Sequence, residues 1–215
     1  MLGLIGLLAV AVYSPILALR TIAVDGTTAV DAKAVHSALD GQLGTPLALV
    51  DYDQIRQELD AFPLIRSYVT EVVPPNTLRV HIVERAPVGS ITTSTGFSVI
   101  DPAGVVLGSS ASRPKGVPLI TVGADGTNGV AFKAVVAVVL SLPSSLRSRV
   151  VSASASSNDD VTLVLSGAHQ RVVWGNAERS ALKARVLTEL VASRGGAADV
   201  EYDVSAPLSP VVRGG

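Results

Sequence analysis

The chain has 215 residues, a formal net charge of −1, 48% hydrophobic residues and 4% aromatic residues. That length accommodates one large or two small domains, and the balanced charge gives no electrostatic case for nucleic acid or an anionic surface as the main partner. It contains no cysteine, which excludes disulfides, thiolate nucleophiles and cysteine metal sites together.

Leu2 to Leu19 carries no charge and is closed by Arg20. Its length is at the short end of what crosses a bilayer as a helix, so residues 1–20 are expected to be a transmembrane anchor rather than a cleaved signal peptide. Nothing basic precedes the run, so a basic N-terminal tail is expected to be missing. Thr21 to Gly26 alternates Ile22 and Val24 with polar neighbours and stops at Asp25-Gly26, a strand running into a turn. Asp31 is placed to cap a helix carrying Val35 and Leu39, which Gly41 ends. Asp51 and Gln54 form a capping-box pattern ahead of Ile55, Leu59 and Phe62 at helical spacing.

A strand then runs into a connection at Pro74-Pro75-Asn76. The next strand alternates Leu78, Val80 and Ile82 with Thr77, Arg79 and His81, and it ends in charge at Glu84-Arg85. Beyond Gly89 the pattern changes. Asp101-Pro102-Ala103-Gly104 is a turn between Phe97–Ile100 and Val105–Leu107, Ser109 to Lys115 reads as a loop, and Pro118 to Val122 as a short strand. Val130 to Leu142 is almost wholly apolar but too short to span a membrane, so it predicts a buried helix stopped by Pro143. Strands are predicted over Val150–Ala155, Val161–Leu165 and Arg171–Trp174. Asn176 is read as the cap of a helix with Leu182, Val186, Leu187 and Leu190 on one face, closed by Arg194-Gly195-Gly196. A final strand, Val200 to Ser205, breaks at Pro207 and Pro210. The fold class is therefore α+β.

No catalytic or metal constellation stands out. His36, His81 and His169 fall on a helix, a strand and a turn, each without a second ligand at metal spacing. Asp159-Asp160 lacks the ligand ladder of a calcium loop, and the serines at 152, 154, 156 and 157 are framed by no nucleophile elbow. Glycine-rich phosphate loops and a carboxylate dyad are also missing, so no enzyme activity and no cofactor are expected.

The ordered motif Phe62, Pro63, Ile65, Val69, Pro75, Asn76, Thr77, Leu78, Val80, Ile82, Glu84, Arg85 and Pro87 resembles the POTRA domain of the FtsQ/DivIB family of bacterial division proteins. The C-terminal segment from Asp203 to Arg213 resembles the actinobacterial members. The resemblance implies a transmembrane anchor over residues 1–20, a β-α-α-β-β POTRA domain over 21–89 and a mixed β-domain with two helices over 90–215. It further implies a single-pass protein of the cell membrane, with its domains outside the cytoplasm at the division septum. Such a protein is a non-enzymatic scaffold that recruits FtsB (DivIC) and FtsL and helps regulate septal peptidoglycan synthesis, with FtsW/FtsI-type synthases as further partners. By position the family's partner site implies Tyr202, Asp203, Val204, Ser205 and Ala206 on the last strand, with Arg179 and Lys183 on the helix before it. Binding would use strand addition. The other reading of Val200 to Ser205 is that it only closes the sheet, with Pro207 and Pro210 protecting its edge. A POTRA-bearing transport or outer-membrane assembly factor is the alternative function, disfavoured by the single POTRA unit.

Overall fold

A computed structural model describes residues 14–121, 123, 125–167, 170–194 and 198–214. The chain divides into two compact units, Met1–Arg85 and Ala86–Gly215. Each unit builds its own sheet and core.

In the first unit, β1 (Thr21–Asp25), β2 (Ile65–Val73) and β3 (Thr77–Glu84) form a three-stranded sheet in the order β1-β3-β2. β3 lies in the middle, parallel to β1 and antiparallel to β2. Its alternation works as expected: Leu78, Val80 and Ile82 are buried, and Arg79 and His81 are exposed. The β2–β3 connection contains a cis Pro74-Pro75 bond. Helices α1 (Ala32–Leu39) and α2 (Tyr52–Asp60) bury Val35, Leu39, Ile55 and Leu59 in the same core. Asp31 caps α1 by accepting from the Lys33 amide at 2.9 Å, and the helix gives way to a 3₁₀ turn over Asp40–Gln42 rather than stopping at Gly41.

Asp51 caps α2 by accepting from the Asp53 and Gln54 amides at 3.0 and 2.9 Å. The reciprocal half of the capping box is relayed. The amide of Asp51 donates to Gln42 Oε1 at 3.0 Å, and Gln42 Nε2 donates to Gln54 Oε1 at 2.8 Å. The terminal carboxylate of β3 performs a second local closure. Glu84 accepts from the amides of Thr28, Ala29 and Val30 at 2.7 to 3.0 Å, and these three bonds hold its carboxyl below the usual carboxylate range.

The segment leading into β1 overturns part of the expected anchor. Ser14 to Leu19 is not helical, and Ala18 bridges Pro46. Leu19 donates to Thr45 O at 2.8 Å, Leu47 donates to Leu17 O at 3.0 Å, and Leu19 itself is buried in the first core. An apolar helix therefore cannot continue to Leu19; its last residues are part of the folded unit. The rest of the expected span, residues 1–13, lies outside the described residues. Among the described residues no helix is long and apolar enough to cross a membrane.

The second unit is organised on a nine-stranded mixed sheet: β12-β11-β10-β9-β8-β7-β4-β5-β6. Its strands are β4 (Gly89–Thr93), β5 (Gly96–Ile100), β6 (Val106–Ser110), β7 (Leu119–Thr121), β8 (Val150–Ser154), β9 (Val161–Leu165), β10 (Arg171–Gly175), β11 (Glu201–Asp203) and β12 (Val211–Arg213). The β5–β6 turn is held by Asp101, which accepts from the Ala103 and Val105 amides at 2.9 and 2.8 Å. Within this sheet β6 and β4 depart from expectation. β6 takes in Ser109 and Ser110, read from their polarity as loop, because an edge strand with both faces wet needs no alternation. β4 carries no alternation signal either, since its burial comes from packing: a Cβ at Gly89 would lie 2.5 Å from Ile120 Cδ1. A side chain there would have to displace Ile120.

Helix α3 (Val130–Ser141) buries Phe132, Val135, Val136, Val138 and Val139, as its uniform apolarity predicts. Pro143 ends it and precedes a further short helix, α4 (Ser144–Arg147), so the described residues of the unit form three α-helices rather than two. The third, α5 (Ser180–Ser193), begins four residues after Asn176.

Candidate partner-binding edge

The residues that the sequence groups near the C-terminus come from β10, α5, β11 and the segment after it. β11 pairs in parallel with β10 through Arg171↔Glu201, Val172↔Tyr202 and Val173↔Asp203. The pairing continues past both ends, with Arg171 N donating to Val200 O and Val204 N to Val173 O. The chain then turns. Asp203 Oδ1 accepts from the Ser205 hydroxyl at 2.6 Å and from its amide at 3.1 Å. It returns as β12, antiparallel to β11 through Glu201↔Arg213, Tyr202↔Val212 and Asp203↔Val211.

That return corrects the sequence reading. Pro207 and Pro210 do not end the sheet: Pro210 only precedes another strand, a position where a missing N–H is tolerated. β11 is therefore internal, flanked by β10 and β12, and the unpaired backbone belongs to β12. Glu201 links the three strands: Arg171 Nε lies 3.3 Å from one of its oxygens, and Arg213 Nη1 lies 2.7 Å from the other. These exposed pairs add little stability but disfavour a shifted register.

The expected partner-contacting residues divide into two groups. Tyr202, Val204 and Lys183 are buried, whereas Arg179, Ser205 and Ala206 are exposed, and Asp203 is half-buried. Tyr202 is 0% exposed, and its hydroxyl is buried with no hydrogen-bond partner among the described residues. Lys183 is 2% exposed; its ammonium donates to Trp174 O and Asn176 O, each at 3.0 Å, and to Asn176 Oδ1 at 3.3 Å. Burial lowers its pKa, and the nearby carboxylates of Glu178 and Asp159 oppose that shift. Lys183 thus joins α5 to the end of β10 and does not offer its charge to a partner.

Asn176 does not cap α5 directly; its Oδ1 accepts from the Glu178 amide at 3.1 Å. The helix starts instead from Arg179, whose φ of 52° puts a non-glycine residue in the left-handed region and whose side chain makes no capping bond. Ser180 ties the start of the helix to the core by accepting from Trp174 Nε1 at 3.3 Å and donating to Ala177 O at 2.8 Å. The buried side of α5 is Ser180, Lys183, Ala184 and Leu187. Leu182, Val186 and Leu190, expected to share a face with Leu187, are only partly buried and also line an apolar groove of about 850 Å³ with Pro143, Arg185 and Glu189, although Val186 and Leu190 pack against the same core as Leu187. Hydrophobicity alone misses this split because a buried lysine occupies a core position. The predicted closure by Gly195-Gly196 lies outside the described residues, as does His169.

The two described histidines and Asp160 have local partners. His81 contacts Asp25, and His36 lies 3.0 Å from Asp40. Asp160 accepts from the Ser157 and Ser156 amides, and these bonds, Ser157's first, hold its carboxyl below the usual range. No cluster that could hold a metal ion occurs among the described residues.

A POTRA unit followed by a large mixed sheet defines a two-domain α+β protein whose distinguishing surfaces are sheet edges and a helix groove. Comparison with known proteins agrees at both domains. Residues 17–85 match the POTRA domain, FtsQ-type, and residues 91–203 match Cell division protein FtsQ/DivIB, C-terminal. The chain is 36% identical over 207 residues to Cell division protein FtsQ of Streptomyces bingchenggensis, covering 91% of this chain and 76% of that protein. It is 33% identical to the Mycobacterium leprae protein of the same name, with 96% and 59% covered. For the Mycobacteroides abscessus protein the identity is 32%, with 97% and 66% covered. The chain belongs to the FtsQ/DivIB family of cell division proteins. It spans about three fifths to two thirds of the length of those two mycobacterial relatives.

Proposed function

We propose that the chain is a non-enzymatic scaffold of the division septum that recruits FtsB/DivIC-like and FtsL-like partners and through them helps control septal peptidoglycan synthesis by FtsW/FtsI-type synthases. Its domains lie outside the cytoplasm, tethered by an N-terminal transmembrane anchor to which the folded residues Ser14 to Leu19 contribute no helix. The domain organisation on this reading is an anchor, a POTRA domain to about Gly89 and the β-domain from residue 90. Family membership and a single POTRA unit favour this function over a transport or outer-membrane assembly factor.

The observation that carries the site is the open edge of β12 on the C-terminal side of the sheet. A partner strand would add to Val211–Arg213, with main-chain bonds supplying affinity. Leu208 and Val211, 78% and 44% exposed, would supply apolar contact beside it. Arg179, Asp203, Ser205 and Ala206 are retained as flanking contacts. Tyr202, Val204 and Lys183, first expected to touch the partner, act on this reading as the buried support of the edge.

Binding of the extracytoplasmic part of the same organism's FtsB-like protein tests the site against two variants, Val211→Pro and Val212→Pro. Successive N–H groups of a strand point to opposite sides, so one variant removes an outward donor and the other an inward one. The expected result is at least roughly tenfold weaker binding for both, with circular dichroism changed only in the inward case. Unchanged binding in both would remove β12 as the site.

A further inference from the structure

A second surface of the β-domain carries charge that no carboxylate among the described residues neutralises. The β6–β7 loop brings Arg113 and Lys115 beside Arg149, at the start of β8, and the cup of about 290 Å³ between them is also lined by Ser148, Ser166 and Val150. None of its lining residues is acidic, although the whole chain carries a net charge of −1. Elsewhere Arg56, Arg79, Arg171 and Arg213 each meet a carboxylate. Arg113, Lys115 and Arg149 form no ion pair among the described residues.

Two of the three cations are nevertheless held in place. Arg113 Nη2 donates to the Val151 carbonyl. Arg149 Nη2 donates to Gln170 Oε1 at 3.4 Å, and the Arg149 carbonyl accepts from the Ser166 amide at 2.7 Å. Each guanidinium has five N–H donors in a fixed fork, so one bond to a neutral acceptor orients the head and leaves other donors available. Pre-oriented cations lose less entropy on binding. A single carboxylate would match one fork. A phosphate group, with several acceptor oxygens and more negative charge, matches two forks and an ammonium together.

We propose that this cup is an anion site that takes a phosphate group, either as free phosphate or as the phosphodiester of a lipid headgroup. The site lies on segments other than the β12 edge and stands or falls independently of the partner reading. Among the described residues Lys115 makes no hydrogen bond, so Lys115→Glu reverses its charge without removing a contact seen there.

The test is a titration of the full chain with inorganic phosphate, following amide resonances by NMR. Saturable shifts at Lys115 to Val117 and Ser148 to Val150 are expected, with affinity at least roughly tenfold weaker in Lys115→Glu. The double variant Arg113→Ser/Lys115→Ser should lose the shifts, while the control Arg56→Ser should keep them. A parallel arm replaces phosphate with bicelles of phosphatidylcholine with or without phosphatidylglycerol. Shifts at the same amides that require phosphatidylglycerol identify a headgroup as the source, whereas shifts with inorganic phosphate alone identify the free anion. Shifts that sodium chloride reproduces at equal ionic strength, or that persist unchanged in Lys115→Glu, would overturn the proposal.

Discussion

Lys183 and Tyr202 show how a side chain's type and its role separate. A lysine on a helix beside a sheet edge suggests an acidic partner, yet its ammonium is bonded to three oxygens from Trp174 and Asn176. Lys183→Met should cost about 1–3 kcal/mol in chemical unfolding, because buried acceptors lose their donor. Tyr202→Phe should behave in the opposite way. Its hydroxyl is buried without a partner among the described residues, so removing it should leave stability unchanged or raised by up to about 1 kcal/mol, and partner binding unaltered. A loss of binding in Tyr202→Phe with the fold intact would return the tyrosine to the interface. Glu84 supplies a pH signature. Its pKa is lowered in the fold by the amides of Thr28, Val30 and Ala29, so the stability it contributes is present above the unfolded carboxyl's pKa and lost as pH falls through the folded one. The wild type should therefore lose its advantage over Glu84→Gln in urea unfolding as pH drops below about 4, and the advantage should be constant from pH 6 to 8. An advantage independent of pH down to 3 would contradict the role given to the carboxylate.

At the scale of elements, the junction of β10 with α5 determines whether the edge is presented. Gly175 has φ +77°, and an added Cβ would lie 3.1 Å from Ser205 Cβ. Gly175→Ala should lower stability by at least about 1 kcal/mol in thermal unfolding, since it combines an unfavourable backbone region with a close approach. The legibility of the chain follows the same physics. The β2–β3 hairpin, α1, α2 and α3 were readable because period, caps and prolines all act locally. β4 and β12 were not: Gly89-Ser90 is buried by its fit against Ile120 and Pro118, and Val211–Arg213 is too short to show a period. The site was legible only as a neighbourhood. The resemblance identified β11 and α5, but β11 is internal because β12 pairs with it, and Lys183 is buried with its ammonium received by Trp174 and Asn176. No local pattern encodes either fact. The expected span failed at its C-terminal end for a related reason: Leu17 to Leu19 are as apolar as a membrane segment requires, yet they pair with Gly44 to Leu47.

For the whole molecule, two separate cores imply two cooperative transitions. The first is built around Leu78, Val80 and Ile82; the second contains Trp174, the chain's single tryptophan. Ile82→Ala should destabilise the first unit by about 2–5 kcal/mol and bring its unfolding to lower denaturant. Tryptophan fluorescence should still report the second unit's transition at its original midpoint. A single transition that shifts for both probes would contradict independent units. An exposed, short edge on one unit suits a scaffold, because a strand can be added there without unfolding either core.

The central claim, that the partner adds to β12, is most directly tested by amide hydrogen exchange on the full chain with and without the FtsB-like partner. The account predicts that the outward amide among Val211 to Arg213 exchanges at least roughly tenfold more slowly in the complex, while the already paired amides of Tyr202 and Val204 change little. Protection confined to β2 of the POTRA unit, with β12 exchanging as in the free chain, would contradict it.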